Sequence, residues 1–188
     1  MRVIRYKVLE STNLKAKELT KKGAESWTVV VSESQSGGYG RKRDRWFSPK
    51  GGLYFSIILP KSKSRSEASS LRGKLEDLQT LTMLAAFIVA KAMKDNFGVE
   101  PFIKLPNDVW LNGKKIAGIL TENVVGKEVE SSIMGIGLDT NIEKFPEELQ
   151  DKATSLKIEL GRKVDNKEIL KQIVKQVEAF FNAIDERH

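Results

Sequence analysis

Residues 104–122 read KLPNDVWLNGKKIAGILTE, which is two β-rich runs on either side of the pair Asn112-Gly113. Asn-Gly favours a two-residue hairpin turn, because both residues adopt positive φ angles readily. The two strands of such a hairpin lie side by side, so Asp108 before the turn and Lys115 after it can face one pocket. We therefore predict that this hairpin presents a carboxylate and an ammonium group to a common site.

The segments on both sides of this hairpin predict a mixture of strands and helices. Residues 102–141 contain three β-rich runs and a second turn signal, Gly126-Lys127, which is the pattern of an antiparallel meander. Further strands are predicted over residues 2–9, 27–32 and 53–59. Helices are predicted after the capping sequence at residues 11–13, over residues 75–96 and from about residue 165. The predicted fold class is α+β, with helices flanking a mixed, mostly antiparallel sheet.

The length and composition suit one domain and limit the chemistry that it can perform. The 188 residues include no cysteine, which excludes disulfides, zinc-thiolate sites and thiol nucleophiles. The single histidine, His188, is the last residue, where a frayed end is a better interpretation than a catalytic triad or a metal ligand. Residues 61–70 are polar and of low complexity, and we interpret them as a mobile linker.

The charge and hydropathy of the chain indicate its partners and its location. The net charge of +7 comes from 32 basic and 25 acidic side chains, and it favours phosphate-bearing ligands or an acidic protein surface. A well-solvated surface of mixed charge is the alternative. The most apolar stretch, residues 81–93, is shorter than the roughly 20 residues that cross a bilayer, and the N-terminus lacks the apolar core of a signal peptide. We therefore expect a cytoplasmic protein that does not bind a membrane.

Residues 35–46, the basic loop, read QSGGYGRKRDRW. Glycines at positions 37, 38 and 40 let the backbone approach a ligand closely, and basic side chains follow them. This pattern predicts a cradle for an anion such as the phosphates of a nucleotide, with Trp46 stacking on a purine. A solvated surface loop and a core tryptophan are the alternative interpretations.

Taken in chain order, these segments resemble the motifs of the biotin protein ligase family. Lys-x-Pro-Asn-Asp, an Asn-Gly turn and Lys-Lys-Ile-Ala-Gly are similar to its central signature, and the basic loop followed by WFSPKGGLYFS at residues 46–56 resembles its biotin and ATP loop. Residues 11–13 (STN), 135–141 (GIGLDTN) and 153–157 (ATSLK) also fall in the family's order. The resemblance covers nearly the whole chain and implies the fold shared by class II aminoacyl-tRNA synthetases and biotin protein ligases.

The resemblance implies a two-step reaction. A single catalytic domain over residues 1–188 would use biotin, ATP and Mg²⁺ to form biotinyl-5'-adenylate, and would then transfer the biotinyl group to one lysine of a biotin carboxyl carrier domain. We expect neither an N-terminal helix-turn-helix nor a C-terminal β-barrel, and hence no DNA partner. The oligomeric state stays open between a monomer and a homodimer.

The resemblance also implies the residues of the site. Catalysis is assigned to Lys115, Arg41 and Asp108: the two cations would stabilise the charge that develops as a carboxylate attacks the α-phosphorus, and Asp108 would take a proton from the acceptor lysine. Biotin contacts are assigned to Ser11, Thr12, Asn13, Gln35, Gly38, Tyr39, Arg41, Lys115, Gly118, Leu120 and Gly137. ATP contacts are assigned to Arg41, Lys42, Arg43, Trp46, Lys104, Asn107, Lys115 and Asn141. No protein ligand for a metal is predicted, since Mg²⁺ is expected to be held by the ATP phosphates.

Four residues depart from the family pattern and lead to alternative functions. Tyr39 and Asp44 stand where arginine is usual, Leu105 where tryptophan is usual and Asp139 where asparagine is usual. Tyr39, Asp44 and the expected lack of the β-barrel prompt one alternative, a module that holds biotin or biotinyl-adenylate without efficient transfer. A lipoate or octanoate ligase on the same fold is another, although the Lys-x-Pro-Asn-Asp motif favours biotin. A nucleic-acid binder ranks last, because the basic residues are not interleaved with several aromatic ones.

Overall fold

The computed structural model describes residues 2–60, 77–126 and 129–185. The strands in these ranges are β1 (Arg2–Leu9), β2 (Thr28–Gln35), β3 (Leu53–Ile58), β4 (Phe102–Lys104), β5 (Asp108–Leu111), β6 (Lys114–Val125) and β7 (Val129–Leu138). The helices are α1 (Thr12–Lys21), α2 (Leu78–Phe97), α3 (Leu156–Leu160) and α4 (Asn166–Asp185). The seven strands form a sheet in the order β1-β2-β3-β7-β6-β5-β4, in which β1 and β2 pair in parallel and the other neighbours are antiparallel. The predicted α+β class is confirmed.

The meander contains four strands, whereas the sequence predicted three runs. β4 and β5 are separate because Pro106, which follows a cis peptide bond, has no N–H to donate to a strand ladder. The predicted hairpin turn is present between β5 and β6, where Asn112 and Gly113 have φ angles of 49° and 80°. The second predicted turn joins β6 to β7, and its Lys127 lies outside the described residues.

The long helices α2 and α4 cover one face of the sheet and form the main core with it. Buried side chains of the sheet, including Phe55, Ile119 and Ile136, pack against Leu81 of α2 and Ile173 of α4. The apolar stripe predicted for the last helix is therefore packing surface, as expected.

The opposite face of the sheet is covered by α1 over part of its area. Ala16 of α1 packs on a small cluster that includes Val30 of β2, Ile58 of β3, and Val124 and Ile133 of the β6–β7 pair. Toward the β5–β6 hairpin the same strands carry small and polar residues on this face, so the sheet there is open to a pocket.

The ends of the elements follow the sequence with two differences. β2 extends over Thr28–Gln35, beyond the predicted 27–32. Ser11 is the N-cap of α1, but its side chain makes no capping hydrogen bond. α2 ends at Gly98 as predicted, with a left-handed φ of 65° that glycine adopts without strain. The predicted linker at residues 61–70 lies outside the described residues, and within those that are described no helix is long and apolar enough to cross a membrane.

Candidate active site

A pocket of about 350 Å³ opens on the α1 face of the sheet, beside the β5–β6 hairpin. Its walls are the N-terminus of α1, the basic loop, the hairpin and the adjoining part of β7. Each wall comes from a segment that carried a motif in the sequence. The antiparallel pairing of β5, β6 and β7 brings the hairpin motif and the motif at residues 135–141 onto one surface.

Three glycines keep the floor of this pocket flat. A Cβ atom at Gly118 would lie 2.9 Å from Trp46 Cζ3, and one at Gly137 would lie 2.7 Å from Trp46 Nε1. A Cβ atom at Gly135 would lie 2.1 Å from Asn13 Oδ1. Carbon atoms do not approach this closely without displacing their neighbours. The glycines therefore let the indole of Trp46 and the carboxamide of Asn13 lie directly on β6 and β7.

A continuous chain of polar contacts connects the two cations predicted for catalysis. Lys115 Nζ lies 2.8 Å from Asp108 Oδ1, and the same oxygen accepts a hydrogen bond from Asn107 Nδ2 at 2.9 Å. Asn107 Oδ1 accepts one from Arg41 Nη1 at 3.3 Å. The ammonium of Lys115 also lies 5.1 Å from the ring centre of Trp46, within the range of a cation–π contact. The hairpin geometry predicted for Asp108 and Lys115 is confirmed.

Polar side chains form the floor beside α1. The Ser56 hydroxyl on β3 is 2.8 Å from Thr12 Oγ1 and 2.6 Å from Asn13 Oδ1. The backbone N–H of Thr12 donates to Gln35 Oε1 at 2.8 Å, and Asn13 Nδ2 donates to the backbone oxygen of Leu120 at 3.2 Å. These contacts fix the orientation of the Asn13 and Gln35 carboxamides, so the pocket presents defined donors and acceptors.

Glu122 on β6 is the centre of a second polar cluster behind Asn13. Its carboxylate accepts hydrogen bonds from Lys17 Nζ at 2.7 Å, Asn13 Nδ2 at 2.8 Å and Tyr39 Oη at 2.9 Å. Burial raises the pKa of Glu122, but these hydrogen bonds outweigh burial and hold the pKa below its usual value. Burial and the neighbouring Glu122 charge raise the pKa of Tyr39 to about 12. Near neutral pH the pair is therefore a carboxylate and a protonated hydroxyl.

A further carboxyl group is buried next to the strand that carries Lys115. Asp139 follows β7, its backbone N–H donates to Ile116 O at 2.9 Å, and the residue is 3% exposed. Its Oδ1 has no hydrogen-bond partner among the described residues. Burial raises the pKa of Asp139 well above its usual value, and the charge of Lys115 opposes this only in part.

The structure brings most of the predicted site residues together. The three residues predicted for catalysis all line the pocket. The predicted biotin contacts that line it are Ser11, Thr12, Asn13, Gln35, Tyr39, Arg41, Lys115, Gly118, Leu120 and Gly137. The predicted ATP contacts that line it are Arg41, Lys42, Trp46, Asn107 and Lys115.

The remaining predicted residues lie outside this lining: Gly38, Arg43, Lys104 and Asn141. The ammonium of Lys104 lies over the ring of Trp110, 4.6 Å from its centre. Asn141 Oδ1 accepts a hydrogen bond from the backbone N–H of Val164 at 2.8 Å, which ties together the segments on either side of α3. These two residues therefore have structural partners of their own.

Several residues of the pocket were not predicted: Gly40, Asp44, Arg45, Ile119, Gly135 and Ile136. Gly135 could have been predicted as a pocket residue, because alternation along a strand places it on the same face as Gly137. The same alternation places Glu122 on the face of β6 that carries Gly118 and Leu120, but it does not identify its partners. Its bond to Asn13 spans 109 residues, and only the folded sheet brings the two together.

Comparisons with known proteins identify the family of the chain. Residues 6–139 match the family model of the biotin/lipoate A/B protein ligase family. The chain is 38% identical over 176 residues to the bifunctional ligase/repressor BirA of Bacillus subtilis, covering 92% of this chain and 51% of the relative. It is 31% identical over 173 residues to the biotin–[acetyl-CoA-carboxylase] ligase of Paracoccus denitrificans, covering 86% and 65%.

A solved structure of the biotin protein ligase from Aquifex aeolicus, in complex with biotin and ATP, superposes with a TM-score of 0.79 at 31% identity. The match covers 95% of this chain and 69% of that one. The chain spans about half the length of the Bacillus subtilis relative named above. The family match, the identities and the shared fold together establish that the chain belongs to the biotin/lipoate A/B protein ligase family.

Proposed function

We propose that this chain is the catalytic domain of a biotin protein ligase, which forms biotinyl-5'-adenylate from biotin and ATP and transfers the biotinyl group to a lysine of a biotin carboxyl carrier domain. The observation that carries the proposal is the linked arrangement of Arg41, Asn107, Asp108 and Lys115 at the edge of a polar pocket. Family membership narrows the substrate to a carboxylic acid of the biotin or lipoate type.

The polar floor of the pocket favours biotin over a lipoyl or octanoyl chain. The ureido ring of biotin carries two N–H donors and a carbonyl acceptor, which need polar partners when water is removed. The pocket offers Thr12, Asn13 and Gln35 on its floor, each held by a hydrogen bond to another part of the chain. An alkyl chain could use none of the hydrogen-bonding capacity that remains on these groups, whereas the ureido ring could, and such a difference favours biotin.

Adenylate formation requires two anions to meet. The biotin carboxylate must attack the α-phosphorus of ATP and expel pyrophosphate, and mutual repulsion opposes this approach. Lys115 and Arg41 both line the pocket and are tied to one carboxamide–carboxylate pair. We propose that Lys115 stabilises the negative charge on the biotin carboxylate and the α-phosphate. Arg41 would stabilise the charge that develops on the phosphate oxygens.

Transfer of the acyl group requires a neutral amine. The acceptor lysine of the carrier is protonated near neutral pH and must lose a proton before its nitrogen attacks the carbonyl carbon of the adenylate, releasing AMP. Asp108 is the carboxylate nearest to Lys115 and lies at the wall of the pocket. We assign the acceptance of this proton to Asp108. The positive net charge of the chain suits a carrier domain with an acidic surface.

The residues present fit ATP with Mg²⁺ held by the phosphates. Lys42 and Trp46 line the pocket and supply a cation and an aromatic surface for the nucleotide. In the described part of the chain no cluster of three acidic or histidine side chains could hold a metal by itself. Asp44 and Asp108 are single carboxylates at the pocket, which suits an ion that keeps its water and binds mainly to phosphate. When bound, Mg²⁺ would neutralise the phosphate charge.

Pyrophosphate release by the purified protein tests the first step. The assay compares biotin, lipoate and octanoate as the carboxylic acid, each with Mg·ATP. We expect release with biotin and little with the other two acids. Release with lipoate or octanoate alone would overturn the choice of substrate, and no release with any acid would overturn the proposed activity. Release with biotin but no labelling of a carrier domain would favour a module that only holds the adenylate.

A further inference from the structure

The basic loop is a small antiparallel hairpin that is not stable on its own. Trp46 N donates to Gly38 O at 2.9 Å, Gly40 N donates to Asp44 O at 2.8 Å, and Tyr39 pairs with Arg45. A short two-stranded hairpin is at best marginally stable in water. Contacts with the rest of the molecule must therefore hold it over the pocket.

Two side chains of this hairpin are hydrogen-bonded to the sheet side of the pocket. Arg41 donates to Asn107 at 3.3 Å in an exposed contact with a neutral carboxamide. Tyr39 Oη donates to Glu122 Oε2 at 2.9 Å in a partly buried contact with a carboxylate. A short bond to a charged acceptor away from water is the stronger of the two. Arg41 is also the side chain that must be free to meet phosphate.

The acceptor of the Tyr39 hydroxyl is itself held rigidly. Glu122 lies on β6, and its carboxylate is fixed by Lys17 and Asn13 from α1. The guanidinium of Arg43 also lies 4.6 Å from the centre of the tyrosine ring. The phenol is therefore enclosed between its own loop and a fixed carboxylate.

We propose that Tyr39 is a positioning residue, whose hydroxyl latches the basic loop to Glu122 and so keeps Arg41 directed at the pocket. The latch exists whatever the pocket binds, while its value for adenylation rests on the proposed function. The hydroxyl serves as a donor and takes no part in bond formation.

Hydrogen exchange of the protein without biotin or ATP tests the latch. Tyr39→Phe removes only the hydroxyl, and we expect exchange of the Gly40 and Trp46 amides to accelerate about tenfold or more. Amides of β3 and the melting temperature should not change. Tyr6→Phe, which alters a tyrosine of β1 outside the pocket, is the matched control and should leave the loop unchanged. Unchanged loop exchange in Tyr39→Phe would overturn the latch.

Two further variants distinguish loss of the Tyr39–Glu122 hydrogen bond from a general destabilisation of the basic loop. Tyr39→Arg replaces the hydroxyl by a charged donor for Glu122, and we expect it to return loop exchange close to the wild-type rate. In a double-mutant cycle with Glu122→Gln, loss of the hydroxyl should accelerate exchange less than it does beside the native carboxylate. No rescue by arginine, or independent effects in the cycle, would contradict the latch. Failure of the wild-type protein to release pyrophosphate would overturn the proposed function and leave the exchange result standing.

Discussion

The two faces of the sheet are built differently, although the same strands form both. On β6, Ile119 packs into the core beneath the long helices, while the adjacent Gly118 makes room for Trp46. On β7, Ile136 packs into the core and the adjacent Gly137 makes room for Trp46. Because successive side chains of a strand point to opposite faces, each strand supplies bulk to one side and space to the other. Substitutions on the core face should therefore change mainly the free energy of unfolding, and substitutions on the pocket face should change mainly binding and activity.

The largest effect on stability is expected on the core face. Phe55 of β3 is fully buried in the main core, and Phe55→Ala should lower the free energy of unfolding by about 3–5 kcal/mol through lost burial and a cavity. Its neighbour Ser56 is equally buried but lies on the site face, where it bonds to Thr12 and Asn13. Ser56→Ala should cost about 1–2 kcal/mol and weaken biotin binding. Denaturant unfolding measures the free energy of unfolding of both variants. Equal losses of stability in the two variants would contradict the difference between the faces.

The largest effect on activity is expected at Lys115. Lys115→Ala should lower biotin-dependent pyrophosphate release by about 10²–10³-fold, because a fixed cation is lost where two anions meet. The melting temperature should stay near the wild-type value, since the Lys115 side chain is 30% exposed. The matched control is Lys114→Ala, whose ammonium bonds to the backbone of Gln150 away from the pocket lining. If both variants release pyrophosphate at the wild-type rate, Lys115 has no role in activation.

Substitution of Asp108 should affect acyl transfer much more than adenylate synthesis. Asp108→Asn keeps an oxygen that can accept from Lys115 and Asn107 but removes the group that takes a proton. We expect adenylate synthesis within a few-fold of wild type and transfer lowered by about 10²-fold or more. The transfer defect should shrink as pH rises toward the pKa of lysine, near 10.4, because more acceptor amine is already neutral. Equal losses in both steps would rule out this division.

A small effect, confined to stability, is expected at Asp139, the buried carboxyl group that follows β7. The folded protein favours protonated Asp139, because burial raises its pKa well above the usual 3.8. Its contribution to stability is therefore greatest in acid and falls as pH rises from about 3.8 through the raised value. Asp139→Asn should be more stable than wild type by about 1–2 kcal/mol at neutral pH, with little gain in acid. A constant difference across pH would contradict the burial of a titrating group.

The sequence predicted local features of the site better than contacts between distant segments. Asp108 and Lys115 flank a recognisable turn, so strand geometry alone placed them together. Lys104 belongs to the same motif and pairs with Asp108 across β4 and β5, yet its ammonium lies over Trp110, two residues further along β5, and it does not line the pocket. The partnership of Glu122 with Tyr39 depends on how α1, β6 and the basic loop pack, and no local pattern encodes it.

The intact mass of a biotin carboxyl carrier domain tests the central claim most directly. The carrier is incubated with this protein, biotin and Mg·ATP, and a carrier whose acceptor lysine is replaced by arginine serves as the control. We predict the mass increase of one biotinyl group on the native carrier, dependent on ATP and absent from the arginine control. An unmodified carrier mass, obtained with folded protein and saturating substrates, would contradict the proposed ligase activity.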